Sequence, residues 1–77
     1  MPKSVFNWTF SGVVEFLKKF GFIYSHSKGS HYYYVGKYAG NPRIVRVPFH
    51  GSKAFKPRTL KGMVRQSGIP LNIWLGE

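Results

Sequence analysis

The sequence predicts an α+β fold: one helix, three antiparallel strands and a second helix, with both helices on one face of the sheet. Three observations predict it. An apolar stripe of helical period lies between residues 13 and 20, and three runs rich in aromatic and β-branched residues lie between 22 and 47. A second helical stripe follows, bracketed by Pro57 and Gly68.

Residues 1–10 show no clean period, although Phe6, Trp8 and Phe10 alternate with polar residues as in a short extended arm. Val13, Phe16, Leu17 and Phe20 follow i, i+3, i+4, i+7 spacing after Ser11, which suits an N-cap. Gly21 stands where a left-handed C-terminal cap is needed, and Lys18 and Lys19 suit the negative end of the helix dipole. Residues 22–27 and 30–35 read as strands separated by Lys28-Gly29, and residues 43–47 alternate as a third strand after the turn-forming run 36–42. Residues 49–56 read as a loop. Pro57 suits the first position of a second helix carrying Leu60, Met63 and Val64, which Gly68 would cap with Ile69 folding back onto it. Leu71, Ile73, Trp74 and Leu75 fit one more helical turn, and Trp8 and Trp74 suit the edges of the core or an interface. Both helices must bury their stripes against one face of the sheet, because nothing else in the chain covers them. This order is that of the double-stranded-RNA-binding domain; shared order by itself assigns no function.

With 77 residues and 43% hydrophobic content, the chain encloses one small core, so residues 1–77 read as a single domain. Twelve Lys and Arg against two acidic residues give a net charge of +10. Such a surface attracts polyanions, and nucleic acid leads because neutralising phosphates releases condensed counterions. No stretch reaches the roughly 20 apolar residues of a membrane span, and the start, Met1-Pro2-Lys3-Ser4, lacks the apolar region of a secretory signal. With no Cys in the chain, the expectation is a cytoplasmic protein held by packing alone.

Chemistry narrows further. The two carboxylates, Glu15 and Glu77, have no partner in sequence, so two-metal phosphoryl transfer and paired-carboxylate chemistry are excluded for the isolated chain. A zinc site from His26, His31 and His50 matches no compact ligand spacing. If the chain is an enzyme, His, Ser, Tyr or Lys must carry the chemistry, and no metal or cofactor is expected. RNA can be cut by attack of the ribose 2′-hydroxyl on its own phosphate, which needs a proton acceptor near neutral pH and positive charge at the phosphate. Imidazole meets the first need. His31 is preceded by Lys28, Gly29 and Ser30, which offer a cation, an unobstructed amide and a hydroxyl. Spacing alone leaves open a plain edge-of-sheet histidine. Lys53, Lys56 and Arg58 crowd the start of the second helix, where the dipole is already positive, so an anion such as phosphate suits that end. Of Tyr32, Tyr33 and Tyr34, alternation turns at least one to the exposed face, where a base can stack, while most of the cluster suits packing.

Three motifs carry a family resemblance. Lys28-Gly29-Ser30-His31, Val47-Pro48-Phe49-His50, and the pair Lys56-Pro57-Arg58-Thr59-Leu60 with Gln66-Ser67-Gly68-Ile69 resemble the HicA toxin family, in order and at compatible spacing over about residues 11–69. The lead-in 1–10 and the tail 70–77 lie outside it, and the Tyr-rich second strand is more aromatic than the family pattern. The resemblance implies the double-stranded-RNA-binding-like fold and a toxin of a toxin–antitoxin pair. It further implies mRNA cleavage by the histidine of the Gly-Ser-His motif, His31, and restraint by an acidic HicB antitoxin. His50 matches a recurrent family position and is open to a second proton-carrying role or to backbone capping. The competing function is a non-catalytic RNA-binding module on the same fold.

Overall fold

Thr9 starts the first helix. In the computed structural model, which describes residues 4–76, its backbone is extended and its hydroxyl accepts a hydrogen bond from the Gly12 amide at 3.3 Å. Helix α1 therefore runs Phe10–Lys19, two residues earlier than Ser11 as a cap would allow, and Gly21 takes the expected positive φ of 86°. The lead-in is not an extended arm. Val5 and Phe6 form a turn, and Thr9 makes an isolated bridge to Ala54 before the helix begins. The first three residues of that lead-in, and Glu77, lie outside the described residues.

The sheet consists of β1 (Ile23–Lys28), β2 (His31–Tyr38) and β3 (Asn41–Pro48), antiparallel and in that order. The run 36–42 is not one long turn. β2 and β3 pair through Tyr38 and Asn41, leaving Ala39 and Gly40 as a two-residue turn with φ of 53° and 82°. Both positive angles match the primed turn whose twist suits a hairpin. Pro42 and Pro48 are tolerated because β3 is an edge strand. The β1–β2 pairing slips once, between Tyr24 and His26. This bulge puts Tyr24 on one face with Tyr34, and His26 on the other with Tyr33.

Helix α2 (Pro57–Ser67) has Pro57 at its start and Gly68 as a left-handed cap at φ 76°. The buried Ser67 hydroxyl donates to the Val64 carbonyl at 2.7 Å and accepts from the Ile69 amide at 3.1 Å, turning Ile69 back into the core. Arg43 lies against Gly68, where a side chain at residue 68 would meet its guanidinium at 2.6 Å. A short α3 (Leu71–Trp74) completes the chain.

Val45 and Val47 of β3, Leu17 of α1, and Leu60 and Met63 of α2 are buried together, so both helices cover one sheet face. Each such side chain contributes about 1.5–3 kcal/mol. Gly36 makes room there: a Cβ at that position would stand 2.7 Å from the buried ring of Phe22. Burial pushes the Tyr34 phenol above its ordinary value, with Tyr24 and Tyr32 acting in the same direction, so it packs as a neutral ring. Trp8 and Trp74 meet edge-on at 5.2 Å, with Phe16 stacked on Trp74 at 4.1 Å. Trp8 of the lead-in and Trp74 of the tail are thus core residues. Among the described residues no helix is long and apolar enough to cross a membrane.

Candidate nucleic-acid interface

The face of the sheet opposite the helices is open, and its side chains follow from register. Lys28 pairs with His31 and His31 with Pro48; one step along, His26 pairs with Tyr33 and Tyr33 with Arg46. Strand alternation and the bulge put all six on the same face. Without the bulge, His26 and Lys28 would point to the helix side.

The β1–β2 turn positions the Gly-Ser-His segment. Gly29 takes φ 59° and Ser30 does not, so a two-residue turn closes with Lys28 directly opposite His31. Cross-strand partners of this kind hold their Cβ atoms roughly 4.5–5.5 Å apart. The Phe49 amide donates to the Ser30 carbonyl at 2.6 Å, extending the pairing one residue beyond His31. His31 is half-buried, and its ring makes no hydrogen bond among the described residues, to the Ser30 hydroxyl included.

The second basic group lies across Pro48. His50, Lys56 and Thr59 surround a groove with Pro48 and Phe55, and Arg46, Arg58, Thr59 and Gln66 surround an adjoining groove that also touches Pro48. Pro48 is therefore the shared wall between the His31 row and the start of α2. The exposed His50 ring stacks on Phe55 at 5.8 Å. Lys53 sits on the exposed loop, its amide bonded to the His50 carbonyl at 3.2 Å, and lines neither groove.

The two longer helices differ at their starts. Thr9 caps α1, whereas Lys56 gives α2 no side-chain cap, and no acidic residue occupies either first turn. Pro57 has no N–H, and the first amide bonded into α2 is that of Leu60, to the Lys56 carbonyl. The Arg58 and Thr59 amides are thus open at the positive end of the helix, with Lys56 and Arg58 beside them, an arrangement suited to an anion. Glu15, the carboxylate side chain among the described residues, lies on α1 near Lys19 and Trp74, remote from this surface.

The structure thus brings Lys28, Gly29, Ser30 and His31 together and sets His50, Lys56 and Arg58 around Pro48. Sequence reasoning missed Arg46. Its signal, the Arg-Ile-Val-Arg-Val alternation of β3, placed it on the face opposite Val45 and Val47. It also gave His26 no role, because the bulge that turns it toward Tyr33 leaves no mark in the pattern. No curated protein matches the chain. Residues 10–69 match the family described as HicA toxin of bacterial toxin-antitoxin.

Proposed function

The chain belongs to the HicA toxin family of bacterial toxin–antitoxin systems, and from that premise we propose that it is a metal-independent endoribonuclease that cuts mRNA with His31 as the proton acceptor. The observation that carries this reading is the hairpin end at which Lys28 stands directly opposite His31 on an open sheet face, inside the matched region.

In the proposed reaction the ribose 2′-hydroxyl attacks the adjacent phosphorus and gives its proton to His31. The bond from phosphorus to the 5′-oxygen breaks, and that oxygen takes a proton from His50 or water. A 2′,3′-cyclic phosphate and a 5′-hydroxyl result. Lys28 and the Gly29 amide offset the charge that builds on the phosphate oxygens, with the Ser30 hydroxyl as a further donor. Lys53, Lys56, Arg58 and the open α2 amides hold neighbouring phosphates. An acidic HicB-type antitoxin that covers this basic face would block RNA by occupying the same charges.

The test compares RNA cleavage by wild type and His31→Ala in the presence of EDTA, with RNA binding measured alongside. Wild type is expected to cut, and the variant to cut about 10²–10⁴-fold more slowly while still binding RNA. A folded wild type that binds RNA and leaves it intact would sink the catalytic reading in favour of a non-catalytic RNA-binding module.

A further inference from the structure

Next to the Lys28–His31–Pro48 row, the open face carries an aromatic pair that the reaction above does not use. The rings of His26 and Tyr33 lie parallel, 5° apart in plane with centroids at 4.5 Å. The His26 ring is held from behind by its Nδ1, 3.0 Å from the Ser25 hydroxyl. Ser25 is the residue the bulge inserts, so the same irregularity that turns His26 to this face also fixes its ring. Tyr33 is half-exposed, His26 is exposed, and Arg46 stands exposed on the far side of Tyr33 in the same row.

We propose that the His26–Tyr33 pair is a stacking platform for one unpaired RNA base, the base adjoining the phosphate held beside His31. The proposal rests on the endoribonuclease reading and adds to it a recognition site. Three observations carry it. The platform lies two residues along β2 from His31, a distance of about 6.6 Å, comparable to one nucleotide step along an extended strand. Cations flank it on both sides, Lys28 along β1 and Arg46 across β3, so the phosphates on either side of a stacked base meet positive charge. Both helices pack on the opposite face, and because the two rings cover each other's inner faces, the faces left open to a flat ligand are the outer ones, that of His26 at the free edge of β1 and that of Tyr33 toward Arg46. The ligand is single-stranded, because the bases of an A-form duplex are stacked on one another and cannot reach such rings. Stacking on aromatic side chains is tolerant of base identity, so the platform positions the strand more than it selects a sequence.

The test uses short single-stranded RNAs that cannot be cut because their sugars are 2′-O-methylated, each carrying 2-aminopurine at one internal position. Wild type is expected to quench 2-aminopurine on binding. Tyr33→Leu should abolish the quenching and weaken binding about fivefold or more, while Tyr33→Phe, which keeps the ring, should retain both. If Tyr33→Leu melts below the assay temperature, His26→Ala carries the same test from the exposed edge strand, with reduced quenching expected. Wild-type quenching and affinity in folded Tyr33→Leu or His26→Ala would overturn the platform while leaving cleavage by wild type, measured on unmodified RNA, to stand. A wild type that neither binds nor cuts RNA removes the platform together with the reading it rests on.

Discussion

On the helix-covered face of the sheet, Val45, Val47 and Tyr34 are buried against the two helices; one residue away along the same strands, Ile44, Arg46 and Tyr33 stand on the open face, with Ile44 61% exposed. The same backbone serves both. The covered face carries the packing that offsets chain entropy, and the open face carries cations, imidazoles and a phenol that packing does not need. A substitution on the first should change stability and spare RNA chemistry in the folded fraction, and a substitution on the second should do the reverse.

The sharpest way to break this division is Trp74→Ala. Trp74 stacks on Phe16 and meets Trp8, so its removal is expected to cost about 3–5 kcal/mol of stability. Denaturant titration measures that loss, and RNA affinity of the remaining folded protein at low temperature should match wild type. Gly36→Ala comes next. The new methyl group would meet the Phe22 ring at 2.7 Å and its Cα at 3.0 Å, so an overpacking loss of about 1–3 kcal/mol is expected, visible as a lower urea midpoint. The smallest effect is the most informative, because it should move the two properties in opposite directions. Lys56→Asp gives α2 the cap it lacks and should raise stability by about 1 kcal/mol. The same change should weaken binding of single-stranded RNA and reduce the slope of log affinity against log salt by about 0.7, one phosphate contact. A destabilised Lys56→Asp, or one that binds RNA as before, would remove the case for an anion at that helix end.

The helices were readable because their signals are local: a stripe at helical spacing, Pro57 at one start, Gly68 at one end. Even there the cap moved from Ser11 to Thr9, since either hydroxyl satisfies the pattern and Phe10 packing on Tyr32 favours the earlier start. The length of β2 was hidden because Gly36 looks like a breaker; its missing side chain is instead what admits Phe22. At the candidate site, the motif named Lys28 and His31, but the turning of the end of β1 to the open face depends on the Ser25 bulge, and a bulge has no signature in alternation. The open α2 amides were foreshadowed by the surplus of cations at that end. The face of Arg46 was legible in the alternation of β3, whereas the His26–Tyr33 pair became visible only with the register.

The edge-on meeting of Trp8 and Trp74 has a topological consequence. It brings residues near both ends of the described chain side by side on the helix side of the sheet, so the folded path is close to a closed ring. A short covalent link between those ends would demand little of the native backbone while removing many conformations from the unfolded one.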